Sequence, residues 1–133
     1  MIRAVGLCLI CASQVAADTF CADLTDPAQP VLRLPDGTEG TCAVSLNLSG
    51  EQADTCRWPF EYRAPNAMAA FDALLEATAD CLQSQPVEDQ GVNHPDSYDL
   101  RTFESDGTQI AISIKDKGAL QQTYVFLRRA PRP

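Results

Sequence analysis

The chain has 133 residues, with ten basic and eighteen acidic side chains, a net charge of −8, 45% hydrophobic residues and six cysteines. That length suits one domain. The negative balance argues against nucleic acid and anionic lipid as partners and for a cationic protein partner.

The N-terminus reads as a targeting segment. Met1-Ile2-Arg3 is a short positive start, residues 4–12 are apolar, and Ser13-Gln14-Val15-Ala16-Ala17 ends in small residues. This is the pattern of a secretory signal cleaved after Ala17. Residues 18–133 are then expected to form a single exported domain, periplasmic in a bacterial envelope or secreted, with no membrane insertion after cleavage. Removal of residues 1–17 takes away Arg3 and leaves a net charge of −9. It also removes Cys8 and Cys11, so their C-x-x-C spacing is not a redox motif. Cys21, Cys42, Cys56 and Cys81 remain, and an even number in an exported domain implies two disulfides.

In chain order, residues 18–30 are polar and hold Pro27 and Pro30, which predicts an irregular arm pinned by Cys21. Residues 31–34 suit a short strand. Leu34-Pro35-Asp36-Gly37-Thr38 is a turn, because proline fixes φ and glycine supplies a positive φ. Residues 41–48 alternate as a strand through Cys42, Val44, Leu46 and Leu48, and 49–54 read as a loop. Residues 56–62 alternate again, with Cys56, Trp58, Phe60 and Tyr62 on one side and Arg57, Pro59 and Glu61 on the other. Pro59 has no N–H for a ladder, which places this strand at an edge or at a bulge.

The period then becomes helical. Met68, Phe71, Leu75, Thr78 and Leu82 recur at spacings of three and four, flanked by Ala67, Leu74 and Cys81. Pro65 suits the first helical position, and Asn66 is the alternative N-cap. The strand spans roughly 23 Å at its usual rise and the helix roughly 25 Å. A helix doubling back over its strand therefore brings Cys81 to Cys56. In a hairpin closed by 49–54, Cys42 falls near Tyr62, far from Cys56. The expected bridges are Cys56–Cys81 and Cys21–Cys42.

Residues 83–96 form a polar connector. Strands follow at 97–104, 109–115 and 120–128. They are joined by turns at Ser105-Asp106-Gly107-Thr108 and Lys115-Asp116-Lys117-Gly118, and a basic tail closes the chain. The order predicts an α+β fold, an antiparallel sheet of about five strands (β-β-α-β-β-β) with one helix packed on one face.

Chemistry-bearing motifs are few. There is no G-x-S-x-G, Ser-x-x-Lys, H-E-x-x-H or phosphate-binding glycine loop. No catalytic residue, metal site or cofactor is assigned. His94, the only histidine, lies in a Pro-containing loop beside Asp96 and Asp99, where it could serve a hydrolase or a metal-dependent enzyme. Asp23, Asp26, Asp36 and Glu39 lack the spacing of a calcium loop. Trp58, Phe60 and Tyr62 have the spacing of core residues or of a ligand cleft. Lys115, Lys117 and the Arg128–Arg132 tail could receive an anion. Asn47-Leu48-Ser49 is a glycosylation sequon. Asp72, Glu76 and Asp80 repeat at i, i+4 along the helix. They stand against like-charge repulsion and, at Asp80, against the helix dipole. They are the candidate partner-binding residues.

The expected function is a small non-catalytic binding or inhibitory module for a cationic envelope protein. The alternatives are an envelope enzyme built on the His94/Asp96 loop, and an accessory subunit that pairs through a sheet edge.

Overall fold

A computed structural model of the protein describes residues 18–26, 29–46, 48–88 and 98–131. The expected signal segment at residues 1–17, the sequon residue Asn47 and the His94/Asp96 loop lie outside the described residues. Helix α1 covers residues 18–24. It is followed by β1 (Val31–Arg33), β2 (Glu39–Leu46), β3 (Gln52–Glu61) and helix α2 (Pro65–Leu82). Then come β4 (Val87–Glu88), β5 (Tyr98–Ser105), β6 (Thr108–Lys117), a 3-10 turn (Gly118–Leu120) and β7 (Gln122–Pro131).

The strands form one sheet in the order β1-β2-β3-β7-β6-β5-β4, and each neighbouring pair is antiparallel. The α+β class is as expected. Among the described residues the sheet has seven strands rather than about five, and there are two α-helices rather than one. The difference lies in two short strands: β1, expected as a short strand at 31–34 but not counted among the five, and β4, whose two residues are too few for an alternation to register. Helix α1 replaces the expected irregular arm. Only Phe20 and Leu24, one turn apart, mark its apolar side, and both are fully buried.

Helix α2 starts at Pro65, with Ala64 as N-cap and no side-chain cap. It ends at Gln83, a left-handed residue with φ 50° whose N–H donates to the Ala79 carbonyl. Ala67, Phe71, Leu74 and Thr78 are its buried side chains, so the inward stripe is turned from the expected one and Met68 is exposed. The stripe joins Cys56, Trp58, Phe103, Ile110, Ile112, Val125 and Leu127 in one core that also holds Phe20, Leu24 and Leu32. A Cβ at Gly40 would overlap the Trp58 indole. The absence of a side chain there lets the ring lie against β2 while its Nε1 donates to the Thr38 carbonyl at 3.3 Å.

Both expected disulfide pairings are corrected. The bridges are Cys21–Cys81 and Cys42–Cys56. The hairpin register explains the difference. β3 begins at Gln52, opposite Leu46, so Cys42 stands directly across from Cys56. The expected loop at 49–54 began and ended too late, which slid the register. With Cys42 and Cys56 joined, α1 brings Cys21 to the last turn of α2, at a Cα separation of 5.4 Å from Cys81.

Pro59 is also placed differently. β3 is a central strand between β2 and β7. Its pairing with β2 stops at Arg57, so Pro59 lies past the end of that ladder while still opposite Tyr124 of β7. The missing N–H falls on the unpaired side, where it costs no hydrogen bond. The expected basic tail is strand as far as Pro131, and Arg129 points inward in phase with Val125 and Leu127. Its guanidinium forms a buried ion pair with Asp54. It also donates from one nitrogen to the carbonyls of Asp23 and Leu24, both at 2.8 Å, and of Asp26 at 3.3 Å. Asp23 and Leu24 close α1, whose last carbonyls have no intrahelical i+4 donor, so a β7 side chain caps that helix, alongside the Asp26 N–H on the Asp23 carbonyl and the Gln29 N–H on the Asp26 carbonyl.

Candidate acidic cleft

α1, the turn after β1 and α2 enclose a cavity of about 500 Å3. Its apolar surface comes from Phe20, Leu34, Pro35, Ala73, Ala77 and the Cys21–Cys81 bridge. Its polar groups include four carboxylates: Asp18 from α1, Asp36 from the turn, and Glu76 and Asp80 from α2. Local sequence explains each position. Asp18 opens the short α1, and Cys21 lies at its middle, one turn on. On α2, Ala73, Ala77 and Cys81 repeat every four residues and present small side chains to the cavity, with Glu76 and Asp80 beside them on the exposed flank.

The turn holds Asp36 firmly. Gly37 has φ 92°, and its N–H donates to the Leu34 carbonyl at 2.8 Å, while the Leu34 N–H donates to the Thr38 carbonyl at 3.0 Å. The Thr38 N–H donates to Asp36 Oδ1 at 2.8 Å. That backbone bond, followed by one from the Thr38 hydroxyl, holds the Asp36 carboxyl below the usual aspartate range against a small opposing effect of burial. Hydrogen bonds to the charged form favour it, so Asp36 keeps its negative charge into acid.

The helical acidic stripe divides. Glu76 and Asp80 reach the cleft, whereas Asp72 stands in the field of Arg101 on β5. Arg101 donates in a fork to Asp99, at 2.9 Å from both Nε and Nη2, with Glu88 3.8 Å away. The Asp99 hydrogen bonds raise the Arg101 pKa above its ordinary value, against burial, helped by the charges of Asp99, Glu88 and Asp72. Asp18 carries no pattern of its own in the sequence, and Asp36 belongs there to the turn at 34–38 and to a set without calcium-loop spacing. The signal for both was the small-residue repeat at 73, 77 and 81, which leaves room for a second element carrying its own acids.

The other candidates separate. Of the calcium set, Glu39 pairs with Arg33 at 2.9 Å and Asp26 accepts from the Gln29 amide at 2.9 Å. Among the described residues no cluster of three or more His, Cys, Asp or Glu could hold a metal ion. Trp58 is core and Phe60 is half-buried against it, while the Arg63 guanidinium lies 5.1 Å over the Tyr62 ring. Lys115, Lys117 and Arg128 fall on the sheet face away from α2, by alternation with the buried Ile112, Ile114, Val125 and Leu127. There the Lys117 ammonium sits 5.9 Å from Tyr124 and 6.0 Å from Phe126. Arg129 has left that group for the interior.

A second cavity of about 550 Å3 lies between Leu24, Leu82, the β5–β6 turn and the adjoining ends of β3 and β7. Its charged residues include Asp54 and Arg129, which already neutralise each other, so the smaller cleft carries the stronger recognition chemistry. Among the described residues no helix is long and apolar enough to cross a membrane.

No protein-family model matches the chain, and no curated protein sequence matches it. Among solved structures, CalU16 from Micromonospora echinospora is similar over 71% of this chain and 70% of its own, at 11% identity and a TM-score of 0.34. A likeness at that level carries no argument about this protein.

Proposed function

We propose that the protein is an exported, non-catalytic binding or inhibitory module whose α1–α2 cleft receives a lysine or arginine side chain of a cationic protein. The observation that supports this reading is the placement of Asp18, Asp36, Glu76 and Asp80 around a cavity with apolar walls. A long basic side chain has an aliphatic stem and a charged head. The stem suits Phe20, Leu34 and the two alanines, and the head suits the carboxylates. The two disulfides fit an oxidising compartment, and the net charge of −8 suits steering of a basic partner.

Titration of the oxidised protein with an oligolysine peptide, by calorimetry over a salt series, tests the reading. Binding should weaken as salt rises, since exposed charges are screened over about 8 Å at physiological ionic strength. Glu76→Lys with Asp80→Lys should abolish it. Asp72→Lys should have a smaller effect, because that residue does not line the cleft. Affinity unchanged in the double variant would remove the cleft from consideration.

A further inference from the structure

β1 covers only part of β2. It pairs with Glu39, Gly40 and Thr41, and just beyond, the Cys42 N–H donates to the Pro30 carbonyl at 2.8 Å. Backbone groups alternate sides along an antiparallel strand. Val44 and Leu46, in phase with Cys42, therefore aim their N–H and C=O groups away from β3. No described residue pairs with that edge. The side chains are open as well: Val44 is 61% exposed, Leu46 67% and Leu48, beyond the strand end, 110%. Natural sheets blunt such an edge with charge, proline or a bulge. Here residues 41–50 carry no charged side chain and no proline.

We infer that this edge pairs with the same edge of a second copy of the chain, across a twofold axis through Ser45. In that register Val44 lies opposite Leu46 of the second copy, and the reverse. Each such pair exchanges N–H···O bonds in both directions, so every outward backbone group of Val44 and Leu46 is satisfied in both copies. The valine and leucine side chains meet across the junction on one face and cover each other. The strand edge is thus complementary to itself, as a twofold interface requires. Charge favours this occupant. A chain of net charge −8 repels its own copies wherever carboxylates meet, and the neutral edge lets two copies approach without that contact. A strongly basic partner gains no attraction from an uncharged strand. The surface is distinct from the acidic cleft and does not depend on it.

Sedimentation velocity of the oxidised protein, from about 1 μM to about 1 mM, should show a dimer that strengthens with salt as long-range repulsion is screened. The cleft reading predicts the opposite salt dependence for its ligand, so the two can fail separately. Val44→Lys with Leu46→Lys should raise the dimer Kd by more than about tenfold, with circular dichroism unchanged because both side chains are exposed. Ser45→Cys reports the register. On the axis the two cysteines face each other at a Cα separation of about 4.5 Å, inside the bridging range of about 4.4–6.8 Å. Mild oxidation should yield a cross-linked dimer through Ser45→Cys and none through Ala43→Cys. A monomer at every concentration and salt, a dimer indifferent to the two lysines, or equal cross-linking at both positions would each overturn the inference.

Discussion

Replacing Cys21 and Cys81 together by serine tests how α1 is held. The bridge closes a loop of 60 residues, and the chain-entropy relation assigns such a loop about 4 kcal/mol of stabilisation. The Cys42–Cys56 bridge closes 14 residues and should contribute about 3 kcal/mol on the same basis. Against a total of about 5–15 kcal/mol for a domain, either loss is large. The first should be larger even though it joins two peripheral helices. The native state should survive, because Phe20 and Leu24 remain in the core and Arg129 still caps α1. The effect therefore falls mainly on the denatured chain, which becomes free to expand, so the urea m-value should rise as well. Urea unfolding followed by circular dichroism, on this double variant and on Cys42→Ser with Cys56→Ser, gives both quantities. Peptide mapping of the oxidised parent under non-reducing conditions fixes the pairing. A Cys56–Cys81 peptide, or a cost below about 1 kcal/mol for losing the longer loop, would refute the reasoning.

Asp54→Ala should destabilise by about 3–5 kcal/mol, because it leaves the Arg129 guanidinium buried without its carboxylate. Asp54→Leu with Arg129→Met should cost less than the two single changes combined, and strictly additive costs in chemical denaturation would count against a coupled pair. For Asp36 the sign follows from its lowered pKa. A carboxyl with a lower pKa in the folded state adds stability that is complete above the unfolded value. That stability is lost as pH falls through the folded one. Asp36→Asn should therefore reduce the loss of stability on acidification through that window. An Asp36 carboxyl that titrates by NMR at or above the ordinary aspartate value would contradict the turn's hydrogen bonding.

What was legible in the sequence was the regular part. Alternation through Ile110, Ile112 and Ile114 and the turn at Ser105–Thr108 place β5 to β7 directly, and the recurrence of Met68, Phe71, Leu75, Thr78 and Leu82 at spacings of three and four places α2, though with its inward stripe turned. What was not legible depended on register. Period two says which residues share a face, but it does not say which residue lies opposite. A hairpin loop placed at 49–54 kept the alternation of residues 41–46 while moving Cys56 away from Cys42. One error in loop length then propagated into both disulfides. Arg129 was obscured for a different reason. A basic residue near a chain end reads as solvated, and only its phase with Val125 and Leu127 marks it as inward. The cleft combines three segments distant in sequence, of which only the helical acids carried a pattern.

The way α1 is anchored bears on the proposed cleft. Asp18 and Phe20 form one wall of it, and a helix of seven residues has little stability of its own. Three separate attachments hold that wall: Phe20 and Leu24 in the core, the bridge from Cys21 to α2, and Arg129 on the carbonyls at the α1 end. Each ties α1 to a different part of the molecule, so its position is fixed before any ligand arrives. A basic side chain entering the cleft would then bring no ordering cost for the wall it meets, and its affinity would depend on charge and fit alone. That separates two effects in one experiment. Loss of the Cys21–Cys81 bridge leaves the other two attachments and the carboxylates in place, so it should weaken oligolysine binding only slightly and leave its salt dependence unchanged. Glu76→Lys with Asp80→Lys should remove both affinity and salt dependence.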